Sequence, residues 1–187
     1  MYLRILIIFI GILSNNNLFS QINAYVHIGI GSATLVEITA NDKIFLTPIV
    51  VYSGGVNFEK KIKSKHSIMV GLNYSEKGGL PNKGFLSVID GEYKRFYIDI
   101  PIIYSYQLHK KIKPFIGINN CIFVDSDINV ANGDPTKFTL DLRAGFNIGI
   151  VKNIELNLIY DYSLSPTVKY SNNFYSHRLL FGVSCKL

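Results

Sequence analysis

From Phe138 to Val151, apolar and polar residues alternate almost without a break. Phe138, Leu140, Leu142, Ala144, Phe146, Ile148 and Ile150 share one parity; Thr139, Asp141, Arg143, Gly145, Asn147 and Gly149 share the other. Side chains of a strand point alternately to its two faces, so this segment is a strand with one oily side and one polar, charged side. It exceeds the roughly 5–6 residues of an average soluble strand. It is long enough for the ~9–11 residues that a tilted strand needs to cross a bilayer.

The same pattern recurs along the chain. It predicts strands at Tyr25–Glu37, Pro48–Lys60, His66–Glu76, Tyr93–Gln107, Pro114–Phe123, Phe138–Val151, Ile154–Leu164 and Ser176–Leu187. Even-numbered residues carry the apolar face in most of these. In the last strand the phase changes to Leu179, Phe181, Val183 and Cys185. Aromatic residues such as Phe96, Tyr104, Tyr106, Tyr160 and Tyr162 fall toward strand ends, where a membrane-interface girdle needs them. The connections Lys61–Lys65, Leu108–Lys113 and Lys152–Asn153 are short, and those near Ile38–Thr47, Lys77–Glu92, Val124–Lys137 and Ser165–Tyr175 are longer. Short periplasmic turns alternating with longer external loops mark outer-membrane barrels. The expectation is an all-β fold, an eight-stranded antiparallel up-and-down transmembrane β-barrel, with both termini periplasmic.

A soluble eight-stranded barrel is the main rival. It would turn its oily face inward and its polar face to water. The polar face here carries Gly29, Gly31, Gly71, Gly117, Gly145, Gly149 and Gly182 with scattered charges. Small residues and balanced charges suit a crowded lumen better than a solvated surface. Residues 1–20 read as a cleaved signal peptide: Arg4, then the apolar run Ile5 to Leu13, then Asn15 to Asn17, with cleavage near Ser20–Gln21. That run is too short for the ~20 residues of a spanning helix. Residues 21–187 then form one domain in the bacterial outer membrane.

The net charge of +6 raises the question of nucleic acid. Placement answers it. Nine lysines, Lys60, Lys61, Lys63, Lys65, Lys110, Lys111, Lys113, Lys152 and Lys186, fall in the short turns and at the C-terminus. A nucleic-acid surface interleaves basic residues with stacking aromatics. Here the lysines mark one rim of a barrel, and no nucleic-acid partner is expected.

The inward phase holds Arg95, Arg143 and Arg178 with Asp99, Asp141 and Asp161. Strand direction puts all six in the outer half, which predicts one ion-pair network filling the lumen, since buried charges must be paired. Glu155 and Lys186 are expected on neighbouring strands near the periplasmic rim. Pro101 also faces inward, and a proline within a closed sheet predicts a bulge.

Several segments resemble the PorT-like outer-membrane β-barrel family. They are Tyr97-Ile98-Asp99-Ile100-Pro101-Ile102-Ile103-Tyr104, Lys113-Pro114-Phe115-Ile116-Gly117, Tyr74-Ser75-Glu76-Lys77-Gly78-Gly79, Ala144-Gly145 and Tyr160-Asp161-Tyr162-Ser163-Leu164, with the signal ending in Phe19-Ser20-Gln21. The resemblance implies the barrel fold and the outer membrane. It implies no single activity and no catalytic residues; some members look like accessory parts of protein-secretion systems.

Catalytic chemistry is not written here. An outer-rim enzyme needs His beside Asp, Glu or Ser. His66 and His109 lie at short turns and His27 near the start of the first strand. His177 lies at the outer rim on the lipid-facing phase, opposite in phase to Ser176 and to Ser163 on the next strand. Asp125-Ser126-Asp127-Ile128-Asn129 begins like a calcium loop, but Val130 stands where such a loop needs Gly. Cys121 and Cys185 are expected at opposite ends of the barrel on opposite faces, too far apart for a disulfide. The expected protein is non-enzymatic, without metal or cofactor. It is a structural or accessory component set in outer-membrane lipid and binding an envelope or secretion partner. The alternative is a narrow porin-like pore for ions or small solutes.

Overall fold

The computed structural model describes residues 22–38, 43–80, 93–127, 134–169 and 173–187. Eight long strands build it: β1 (Ile22–Ile38), β2 (Ile49–Lys63), β3 (His66–Gly79), β4 (Tyr93–Tyr106), β5 (Ile112–Ser126), β6 (Phe138–Val151), β7 (Ile154–Ser163) and β8 (Asn173–Lys186). Each pairs antiparallel with the next, and β8 pairs back onto β1 along Tyr25–Ile38, so the sheet closes. Short pairings extend one rim: Lys43–Phe45 adds to β1, and Val168–Lys169 bridges β8 and Asp134–Pro135. The predicted signal peptide and its cleavage point lie outside the described residues.

Partner-to-partner pairing sets the barrel's stagger. From Asn23 it passes through Glu59, Met69, Ile103, Gly117, Arg143, Asp161 and Arg178, and returns to β1 at Ala33, ten residues further on. A stagger of this kind is what tilts the strands of a small closed barrel by ~35–45°.

The alternation read from the sequence separates outside from inside. Ile28 is 66% exposed and Phe181 59%, whereas Asp99 is fully buried. The exposed face is a near-continuous apolar surface, including Val50, Leu72, Ile102, Ile118, Phe146 and Leu156. It is bounded by rings. On one side Tyr74 stacks on Phe96, and His177 packs edge-on against Tyr162 with its Nδ1 2.8 Å from the Tyr160 hydroxyl. At the other, His66 lies against Tyr106 with its Nδ1 2.5 Å from the Tyr104 hydroxyl. Phe96 and Tyr104 are eight residues apart on β4, about 26 Å along a strand and roughly 20 Å in height once tilted. That suits the ~25 Å apolar band of an outer-membrane barrel.

Two expectations are corrected. There is no bulge at Pro101: its pairing with Asn119 keeps the register of the β4–β5 ladder. The missing N–H shows on the other side, where the β3–β4 ladder drops the pairs between Val70–Ile102 and Asn73–Asp99. The bulge of β4–β5 lies at Phe96/Tyr97, where Val124 is the extra residue. Strand three also runs on past Glu76 to Gly79, which draws Lys77 out of the expected loop and into the barrel wall.

Candidate functional site

The lumen is built in layers by inward-phase residues. Nearest the short turns, Glu59 on β2 accepts hydrogen bonds from Lys113, Ser67 and Tyr25. Lys113 Nζ is 3.0 and 3.2 Å from its two oxygens, Ser67 Oγ donates at 2.5 Å and Tyr25 OH at 3.1 Å. Lys113 also reaches Glu155 at 3.4 Å. Glu155 and Lys186 lie on neighbouring strands at this rim, as expected, whereas the sequence reading passes over Glu59. The odd-number phase that placed Arg95, Asp99, Asp141, Arg143 and Asp161 inward places Glu59 too.

Above this floor lies an amide and hydroxyl layer. The His27 ring has Asn157 Oδ1 and Ser53 Oγ each at 3.3 Å, and Asn157 donates to Asn147 at 3.0 Å. Gly71 leaves room for Asn57, whose amide oxygen accepts from Asn73. Beside it the lumen is apolar. Val51, Ile103, Phe115, Ile159 and Leu180 form one buried cluster, with Met69 packed against it. Phe115 lies directly opposite Gly145 on β6, and its ring occupies the space a side chain there would need. The interior is therefore mixed, not uniformly polar as expected.

The next layer is ionic. Arg143 Nε donates to Asp161 Oδ1 at 2.7 Å and its Nη2 to Oδ2 at 2.9 Å. Arg178 Nη2 reaches Asp161 Oδ2 at 2.7 Å and Asp99 Oδ2 at 2.8 Å, and its Nη1 donates to the Glu76 carbonyl at 3.1 Å. Arg143 also lies 3.4 Å from Asp99. Two planar guanidinium groups and two carboxylates thus tie together β4, β6, β7 and β8, a geometry that suits arginine's fixed fork.

Two of the six expected members lie elsewhere. Asp141 pairs with Lys77 at 2.6 Å, and the same carboxylate accepts from Ser163 at 2.8 Å. Cys121 Sγ lies 3.2 Å from Lys77 Nζ and 3.3 Å from Asp141. Arg95 lies higher still, donating to the Tyr93 hydroxyl and to the Thr167 carbonyl. Lys77 is missed because the sequence reading ends the strand at Glu76 and gives Lys77 to the long connection Lys77–Glu92. Leu35, Leu46, Tyr93 and Phe174 close over the top as a second apolar cluster.

Among the described residues, little space remains between the floor and the ionic layer. A cavity of about 30 Å³ lies between the Glu59 floor and Arg143, room for about one water. A wider vestibule of about 170 Å³ opens at the short-turn rim. Among the described residues no group of three or more His, Cys, Asp or Glu is placed to hold a metal. His177 points outward, while Ser176 and Ser163 are buried inside, so these do not meet. Most of the calcium-like loop after Asp127 lies outside the described residues.

No family model and no curated protein sequence matches the chain. Solved structures do match its fold. Neisserial surface protein A is 17% identical, covering 88% of this chain and 97% of that one, with a TM-score of 0.54. The Yersinia pestis outer membrane protein Ail, in a phospholipid bilayer nanodisc, is 14% identical over 88% of this chain and 99% of its own, with a TM-score of 0.50. The outer membrane protein AlkL in lipid bilayers is 11% identical over 89% and 90%, with a TM-score of 0.51. At such identities the likeness is one of architecture: this chain has the closed eight-stranded antiparallel barrel fold of small outer-membrane proteins.

Proposed function

We propose that the protein is a non-enzymatic integral outer-membrane barrel that holds a partner at one of its rims. An export signal delivers it, and both termini face the periplasm. The carrying observation is the closed interior. Asp99, Asp161, Arg143 and Arg178 bridge the lumen, an apolar cluster packs beside them, and the Glu59–Lys113 pair closes the floor. A barrel filled in this way offers its rims, not its bore, as working surfaces. The apolar outer face with a His–Tyr group at each border supports the membrane setting. The segments resembling PorT-like proteins support an accessory role in protein secretion or envelope attachment.

The polar groups running from Glu59 past His27 and Asn157 to Arg143 favour one alternative, a narrow conduit that opens when the ionic layer parts. Brief crosslinking in native cells, followed by isolation in mild detergent, separates the two. Specific recovery of envelope or secretion proteins supports the partner-holding reading. Recovery of the barrel alone, beside an efficiently crosslinked control complex in the same sample, contradicts it.

A further inference from the structure

The vestibule at the short-turn rim carries a charge that the lumen does not use. Its walls hold Lys61, Lys65, Lys113, Lys152 and Lys186 with His66, and its acids are Glu59 and Glu155. Lys113 engages both acids. Lys61, Lys65, Lys152 and Lys186 have no carboxylate within ion-pair reach among the described residues. Lys60, Lys63, Lys110 and Lys111 extend the field around the same rim.

We infer that this mouth is an electrostatic dock for an acidic segment of another envelope protein, a stretch of peptide rich in Asp and Glu. Three features select that chemistry. The unpaired cations spread over two separate turns and the end of β8, which fits an extended run of carboxylates better than a single ion. All the described arginines lie in the lumen, so the rim lacks the planar forks that grip a phosphate bidentately. Lysines on flexible stems act as point charges, which speed encounter and set a strong salt dependence. The dock is blind: Tyr25, Glu59, Lys113 and Glu155 line both this vestibule and the small cavity above, and form the partition between them. A docked segment therefore rests at the mouth and does not thread the barrel.

The inference rests on the partner-holding reading and names the partner's chemistry. Its test uses the purified full-length protein in detergent and a labelled oligo-glutamate peptide, followed by fluorescence anisotropy across a sodium chloride series. The expected result is binding that weakens steeply with salt. The variant Lys61→Glu/Lys65→Glu/Lys152→Glu should bind at least ~10-fold more weakly. Arginine at the same three positions should keep binding, and Lys137→Glu at the opposite rim should leave it unchanged. Absence of binding at low salt, or binding undiminished in the triple glutamate variant, overturns the inference. So does displacement of the peptide by inorganic phosphate at equal charge, which would make the site one for a free oxyanion. Crosslinking in cells separates this from the broader reading. A partner retained by the triple variant sinks the dock and leaves partner binding intact. Oligo-glutamate binding by a wild type that captures no partner supports the dock and counts against that reading.

Discussion

Arg178 lies directly opposite Asp161 on the neighbouring strand, and its Nη2 meets the carboxylate at 2.7 Å deep in the lumen. Asp161 holds Arg143 through its other oxygen, also at 2.7 Å. One carboxylate therefore anchors two buried guanidinium groups, and through Arg178 it is tied to Asp99 across the barrel. The same contacts brace the wall and obstruct the bore.

Removing that anchor should be costly. Asp161→Ala leaves two buried cations sharing Asp99, and breaking a buried pair in this way costs about 3–5 kcal/mol. Urea unfolding in detergent micelles should show it as a lower midpoint. Lys63→Ala, on the exposed rim, should stay within about 0.5 kcal/mol of the parent.

Lys77 and Asp141 form a separate pair and should behave as one. Lys77→Met or Asp141→Leu alone strands a buried charge and destabilises. The double substitution should recover much of the loss, because two apolar groups replace a pair whose desolvation offsets its attraction. A double-mutant cycle with coupling well above 0.5 kcal/mol is the expected readout. Additive losses would mean the pair does not act as a unit.

Phe115 and Gly145 fill one space between them. Phe115→Ala should cost about 3–5 kcal/mol by opening a void in the lumen. Gly145→Val should also destabilise, since a Cβ there would lie 2.0 Å from the Leu158 carbonyl oxygen and 2.6 Å from the Phe115 ring. Combining Gly145→Val with Phe115→Ala should relieve the ring contact but not the clash with the Leu158 backbone, so the double variant should stay less stable than Phe115→Ala alone.

Planar-bilayer recording addresses the bore. The parent barrel should show no steady conductance. Arg143→Ala/Asp161→Ala should open small, frequent current steps, because the ion pairs of this layer cross the lumen. Steady current from the parent would favour the conduit instead.

The strands were legible because a two-residue period is hard to counterfeit over fourteen residues, the length of β6. The lumen was legible only in part. Phase told which residues face inward, and so found Asp99, Arg143, Asp161 and Arg178 together. Phase does not give depth. Depth depends on the stagger between strands, so Arg95 and Asp141 were placed in the wrong layer. Lys77 falls in the connection Lys77–Glu92 on the sequence reading, because the strand is ended at Glu76, shortly before a Gly-Gly pair. In this chain those glycines remain in the ladder, with Gly78 opposite Lys94 and Gly79 opposite Tyr93. Glu59 and the apolar group of Met69, Ile103, Phe115 and Ile159 were on the inward phase all along. The opposite expectation, that an inward face must be polar, hid the latter.

The central claim is an apolar face in lipid and a charged face inside, and β6 tests it most directly. Cys121 and Cys185 would be replaced, and single nitroxide labels attached at successive positions from Leu140 to Ile148 in protein reconstituted into bilayers. Collision rates with oxygen, which partitions into lipid, and with a water-soluble nickel chelate would then be compared. The account predicts an alternation of period two, with Leu142, Ala144, Phe146 and Ile148 open to oxygen and Asp141, Arg143, Gly145 and Asn147 shielded from it. A reversed phase, or free access of the nickel chelate to the apolar positions, would contradict it.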